Sequence, residues 1–155
     1  MWSCSQLGYN LMGTSRTLTF PGRFESLAAI SEFVTRAARA AGLDSCAVDA
    51  VQLAVDEACS NIIEHAYGDE GHGDIECTCH NDSEGLTVIL RDQGRPFDPS
   101  GVPDPDLYPA LDDETCTGGG LGLYFMRQLM DQVRFEFAPD SGNVLTMVKQ
   151  KEPAS

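Results

Sequence analysis

Glu57 and Asn61 stand one helical turn apart within Val51 to Tyr67, a stretch whose apolar residues Val51, Val55, Ala58, Ile62 and Ala66 recur at spacings of three and four. At roughly 100° per residue the two polar side chains lie about 40° apart on the flank of that stripe. A carboxylate and an amide therefore share one rim of an amphipathic helix, an arrangement that an ordinary solvated flank also produces. Asp92-Gln93-Gly94 closes a strand-like run. It suits a simple turn, yet its carboxylate can accept a hydrogen bond from an exocyclic amine such as that of adenine, and its glycine lets the chain turn close to a planar base. Gly118, Gly119, Gly120 and Gly122, around Leu121, open a helical pattern. Free N–H groups and the positive dipole end of a helix start attract anions, and absent side chains let phosphate approach the backbone. The run is not GxxxxGK[ST], which excludes a P-loop. No GxGxxG follows a first strand, which excludes a Rossmann dinucleotide fold.

Composition narrows the partners. With 155 residues and 42% hydrophobic content the chain suits one domain with a real core. Its formal charge of −14, with Lys149 and Lys151 as its only lysines, argues against nucleic acid and anionic membrane as partners. An anionic ligand must then be held by backbone N–H groups, helix dipoles and a metal ion rather than by a lysine cluster. The six cysteines, Cys4, Cys46, Cys59, Cys77, Cys79 and Cys116, form no CxxC pair and are expected as small apolar fillers or free thiols. Neither a transmembrane run nor a signal peptide is expected, which suggests a cytoplasmic protein.

Positioning the three chemical groups requires a particular order of elements. Residues 1–14 lack a period and are expected as a flexible arm. A strand over Arg16 to Phe20 stops at Pro21-Gly22, and a helix from Phe24 to Ala41 ends at Gly42. Asp44 or Ser45 caps the organising helix, which runs to Tyr67-Gly68. Strands over Asp74 to His80 and Leu86 to Arg91 flank a turn at Asn81 to Gly85. A long aperiodic loop, about 95–117, holds five of the eight prolines. Loops of that length are uncommon in compact domains and often act as lids. A helix from Gly118 to Asp131 and a hairpin of Val133 to Phe137 with Val144 to Val148 follow, and 151–155 is expected as a frayed tail. This order predicts an α+β two-layer sandwich, with a mixed, mostly antiparallel sheet covered on one face by three helices.

In this order and spacing the three groups resemble the motifs of the GHKL ATPases, the superfamily of gyrase, histidine kinase and MutL ATP-binding domains. Residues 15–150 are most similar to its anti-sigma factor serine/threonine kinase branch. The N box is matched by Glu57-Ala58-Cys59-Ser60-Asn61 with His65-Ala66-Tyr67, the G1 box by Asp92-x-Gly94-x-Pro96-Phe97-Asp98, and the G2 box by Gly118 to Leu123. The resemblance implies a Bergerat-type fold, ATP and Mg²⁺ as cofactors, Glu57 as catalytic base and Asn61 as the Mg²⁺ ligand. It also implies that Asp92 and Gly94 form the adenine pocket and that Gly118, Gly119, Gly120, Leu121 and Gly122 form the phosphate cradle beneath a lid. His65 is expected to pack or cap rather than to touch phosphate. Arg95 could reach a phosphate from the lid base, and Arg127 is expected as a partner or structural contact. Cys116-Thr117 occupies the place where a basic residue would have suggested γ-phosphate sensing.

The resemblance further implies phosphorylation of a STAS-type anti-anti-sigma protein in a partner-switching system, a sigma factor as a further partner, and a homodimer. The alternative is a nucleotide-gated binding module with little or no kinase activity, against which Glu57 speaks because binding alone does not require a base. If the loop is a lid, Mg-ATP will slow proteolysis within 95–117 before any other segment. Equal cleavage rates with and without nucleotide would remove the lid.

Overall fold

The computed structural model describes residues 13–96 and 119–152. Strand β1 (Gly13–Pro21) passes through a 3-10 turn into helix α1 (Leu27–Ala40). Helix α2 (Ser45–Asn61) ends in a single π turn (Ile62–Ala66), and β2 (Asp74–Asp82) and β3 (Gly85–Asp92) follow as a hairpin. Helix α3 (Gly119–Leu129) then precedes the hairpin of β4 (Gln132–Ala138) and β5 (Gly142–Gln150). The strands form one sheet in the order β1-β2-β3-β5-β4. Every pairing among them is antiparallel, so the parallel component allowed by a mixed sheet is absent from the described strands.

Alternation assigns the two faces of the sheet. Ile75, Cys77 and Cys79 of β2, Leu86, Val88 and Leu90 of β3, and Leu145 and Met147 of β5 are buried. They form one core with Ile30 and Val34 of α1, Val51, Val55 and Ala58 of α2, and Met126 of α3. Register keeps the set aligned, since Cys77 sits opposite Leu90 and Leu90 opposite Leu145. The other face is polar: the hydroxyls of Thr17 and Thr78 are 2.7 Å apart, and Arg91 lies 3.6 Å from Glu76. Cys59, Cys77 and Cys79 are buried free thiols and Cys46 is an exposed one, which matches the filler role for the first three. Among the described residues, no helix is long and apolar enough to cross a membrane.

The stop signals act where the sequence places them. Gly42 adopts φ +86°, the left-handed conformation that ends α1. Asp44 is extended, and its side chain accepts from the Ala47 N–H at 2.8 Å, capping α2. The β2–β3 turn is tighter than five residues. Pairing continues to Asp82 opposite Gly85, and the Asp82 carboxylate accepts from the N–H groups of Glu84 and Gly85 at 2.8 and 3.2 Å. Strand β1 begins at Gly13, opposite Asp82, two residues before the expected start of the domain. At the other end Lys151 still donates its N–H to the Glu84 carbonyl at 2.6 Å. Most of the expected arm, the body of the lid, Gly118 and residues 153–155 lie outside the described residues.

Removal of the α2 cap by Asp44→Ala should cost about 1 kcal/mol and lower the thermal midpoint by roughly 2–4 °C. An unchanged midpoint in a thermal scan would show that the cap contributes nothing to the helix that carries Glu57.

Candidate active site

The end of α2 and the end of β3 meet at one corner of the sandwich. In the π turn the Tyr67 N–H reaches back five residues to the Ile62 carbonyl at 2.9 Å. The last carbonyls of the turn are captured by Arg95: its N–H donates to Ala66 at 2.8 Å and its guanidinium to His65 at 2.6 Å. Gly94 is pressed against the same turn. A Cβ there would lie 2.5 Å from the carbonyl carbon and oxygen of Ala66, so only glycine fits without displacing the helix end. Close approach to Ala66 is what the structure shows for this glycine. Tyr67 completes the joint. Its hydroxyl accepts from the Gln93 N–H at 2.9 Å and donates to the Asp74 carbonyl at 2.7 Å. Burial pushes that phenol up, the Gln93 bond opposes the shift, and the carboxylates of Asp92 and Asp74 add to it.

Asp92 ends β3 with only 4% of its surface exposed, an unusual place for a carboxylate. Its Oδ1 accepts from the Gly94 N–H and from the Asn143 side-chain amide, each at 2.9 Å. Burial pushes the Asp92 carboxyl above its ordinary range, and the bonds from Asn143 and Gly94 pull it back. Both described donors fall on Oδ1, and Oδ2 takes none from the described residues. The charge of such a carboxylate is selective, because an amine donor satisfies it while a carbonyl opposes it.

Glu57 and Asn61 are half-buried on α2, and Asn61 is the last residue before the π turn. Their one-turn spacing is therefore kept in regular helix. Asp56, one position around, has its carboxyl pushed up by burial and does not share their flank. Gly119, Gly120, Leu121 and Gly122 form the first turn of α3, a position whose N–H groups have no partner within the helix; Gly118 precedes the described helix. His65 and Arg95 take structural parts, His65 through its carbonyl and Arg95 by bonding it, and Arg127 is half-buried on α3. These groups fit a magnesium nucleotide: oxygen donors for a hard cation, a buried acceptor for the amine, and a bare helix start for phosphate.

A family model described as histidine kinase-like ATPase domain matches residues 20–149. The chain belongs to this family. Serine-protein kinase RsbW of Bacillus velezensis is 37% identical over 105 residues, 66% of this chain and 64% of that protein. RsbW of Halalkalibacterium halodurans is 34% identical over 137 residues, 85% of this chain and 80% of that protein. The chain thus spans a little under two thirds of the first relative and four fifths of the second. A solved structure of the RsbU and RsbW domains of a Mycobacterium tuberculosis protein superposes with a TM-score of 0.60 at 15% identity, covering 91% of this chain and 34% of that one, and shows the same fold.

Two residues at this corner escape hydrophobic patterning. Tyr67 enters the sequence reading only as the end of the helix and of the N-box match, with no role attached, and Asn143 only as a polar residue near a hairpin turn; a period of two places Asn143 on the buried face with Leu145 and Met147, which is the available signal. Asp92→Ala should leave the fold intact and weaken adenine nucleotide binding by ~1–3 kcal/mol, measured by calorimetry, and the wild type should bind GTP poorly. Equal affinity for ATP and GTP would remove Asp92 from base recognition.

Proposed function

We propose that this chain is a Mg-ATP-dependent serine/threonine protein kinase that phosphorylates a STAS-type anti-anti-sigma protein, engages a sigma factor as its alternative partner, and works as a homodimer. The observation that carries the proposal is the joint placement of a carboxylate and an amide on one flank of α2, with a buried acceptor carboxylate at the adjoining strand end. The relatives named serine-protein kinase RsbW support it.

Mg-ATP, when bound, supplies the phosphoryl group and the cation that draws charge from it. Asp92, assisted by the turn at Gly94, holds the base, and the N–H groups of Gly118, Gly119, Gly120, Leu121 and Gly122 hold the phosphates. Asn61 would hold the cation through its amide oxygen. Glu57, one turn away, takes the proton from the serine or threonine hydroxyl of the protein substrate. The acidity of the chain suits this division, since the phosphates rely on backbone donors and metal rather than on lysine.

Glu57→Ala should still bind Mg-ATP and lose phosphotransfer by about 10²–10⁴, because a general base acts mainly in the transition state. Asn61→Ala should lose Mg²⁺-dependent affinity as well. The assay is ³²P transfer from ATP to candidate STAS-domain proteins of the same organism, alongside nucleotide affinity for each variant. A wild type that binds one such protein tightly and phosphorylates none would replace the kinase with a nucleotide-gated binding module.

A further inference from the structure

Asn143 is the only buried amide among the described residues, with 5% of its surface exposed. Its position is set by the sheet: β3 and β5 are neighbours and their register places Asn143 directly opposite Asp92. The hairpin that delivers it is closely fitted. Gly142 adopts φ +75°, and a Cβ at Gly142 would meet the Asp92 carbonyl oxygen. A primary amide has two N–H bonds, and both are used. Asn143 Nδ2 donates to Asp92 Oδ1 at 2.9 Å and to the Arg95 carbonyl at 2.7 Å, with a longer contact of 3.5 Å to the Gly94 carbonyl. A serine or threonine hydroxyl at this position would carry a single donor and leave one of the two acceptors without it.

We propose that Asn143 is a positioning residue for nucleotide binding, whose amide pins Asp92 Oδ1 so that Oδ2 faces the adenine amine, and whose second N–H fixes the backbone of Arg95 where the long loop departs. The inference rests on Asp92 as the residue that reads adenine. Asn143 touches no nucleotide in this scheme and acts through Asp92.

A geometric role of this kind has an electrostatic consequence. Burial pushes the Asp92 carboxyl up, and the Asn143 bond is the larger of the two contributions that hold it down, ahead of the Gly94 N–H. Protonated Asp92 presents a donor to the amine, which is also a donor, so affinity is lost as pH falls through the Asp92 titration. Removing the Asn143 amide moves that titration, and with it the acid limit of binding, to higher pH. The titratable group facing the Asp92 carboxyl is the Tyr67 hydroxyl beyond the α2 end, which Asp74 also approaches; Glu76 and Arg91 lie on the opposite, polar face of the sheet, and Asp140 of the β4–β5 turn lines the hollow at the strand ends with Asp74 and Asp92. They are common to wild type and variants, so the comparison isolates Asn143.

The test uses the whole chain with Asn143→Ala, which deletes both donors, and Asn143→Asp, which keeps the shape and replaces the donors with a carboxylate. Asp92 titration is followed by ¹³C carboxyl NMR without nucleotide, and ADP affinity is measured across the same pH range. The expected result is an Asp92 titration raised by about one unit or more in both variants. The acid limb of ADP binding should move with it, so that affinity falls at least about tenfold near the shifted value and less at alkaline pH. An Asp92 titration unchanged in both folded variants overturns the proposal. So does a pH-independent loss of ADP affinity, which marks a merely structural role. Asp92→Asn distinguishes the underlying assumption: if it leaves wild-type ADP affinity and its pH dependence untouched, Asp92 does not read adenine, and the role of Asn143 falls with it.

Discussion

The site depends on how closely the end of α2 can approach the end of β3. Gly94 and Ala66 meet where a single added carbon would lie 2.5 Å from the helix-end carbonyl. Around that contact Arg95 bonds the carbonyls of His65 and Ala66, and Tyr67 bonds the backbone at Gln93 and Asp74. These bonds satisfy helix-end acceptors and strand-end donors together. The helix that carries Glu57 and Asn61 and the strand that carries Asp92 are thereby fixed at one joint. Three hydrogen bonds from two residues, Tyr67 and Arg95, link α2 to the start of the loop after β3.

At the same corner a carboxylate is kept under the surface. Burying an unpaired charge costs far more than a neutral group, and Asp92 offsets part of that penalty with two donors on one oxygen. In the proposed function its second oxygen serves the ligand. A site of this kind is prepared to discriminate an amine from a carbonyl, since the wrong group leaves buried polar atoms unpaired. The antiparallel pairing of β3 with β5 makes this cheap in conformational terms, because Asn143 is delivered by the ladder and not by a loop.

Much of this was legible in the residues. The stripe at Val51, Val55, Ala58 and Ile62 does face the core, Gly42 and Asp44 do bound the helices, and the strand order does produce a two-layer α+β sandwich. The less legible parts are those in which the physics is not periodic. A π turn leaves no mark in an apolar stripe, so the helix end at Ile62–Ala66 reads as ordinary helix although its altered winding brings Tyr67 to Gln93. Gly94 reads as a turn residue, and the sequence does not show that its bareness is demanded by Ala66, a distant part of the chain. Asn143 bonds a residue 51 positions away, a relation that no local pattern encodes.

The central claim is that one corner of the sandwich holds adenine on Asp92 and a phosphate-bound cation on Asn61. A crystal structure of the chain with Mg²⁺ and a non-hydrolysable ATP analogue tests it most directly. The account predicts the adenine amine within hydrogen-bond distance of Asp92 Oδ2, the Asn61 amide oxygen on the cation, and the phosphates against the first turn of α3. An analogue bound with its base away from Asp92, or a cation that Asn61 does not touch, would contradict it.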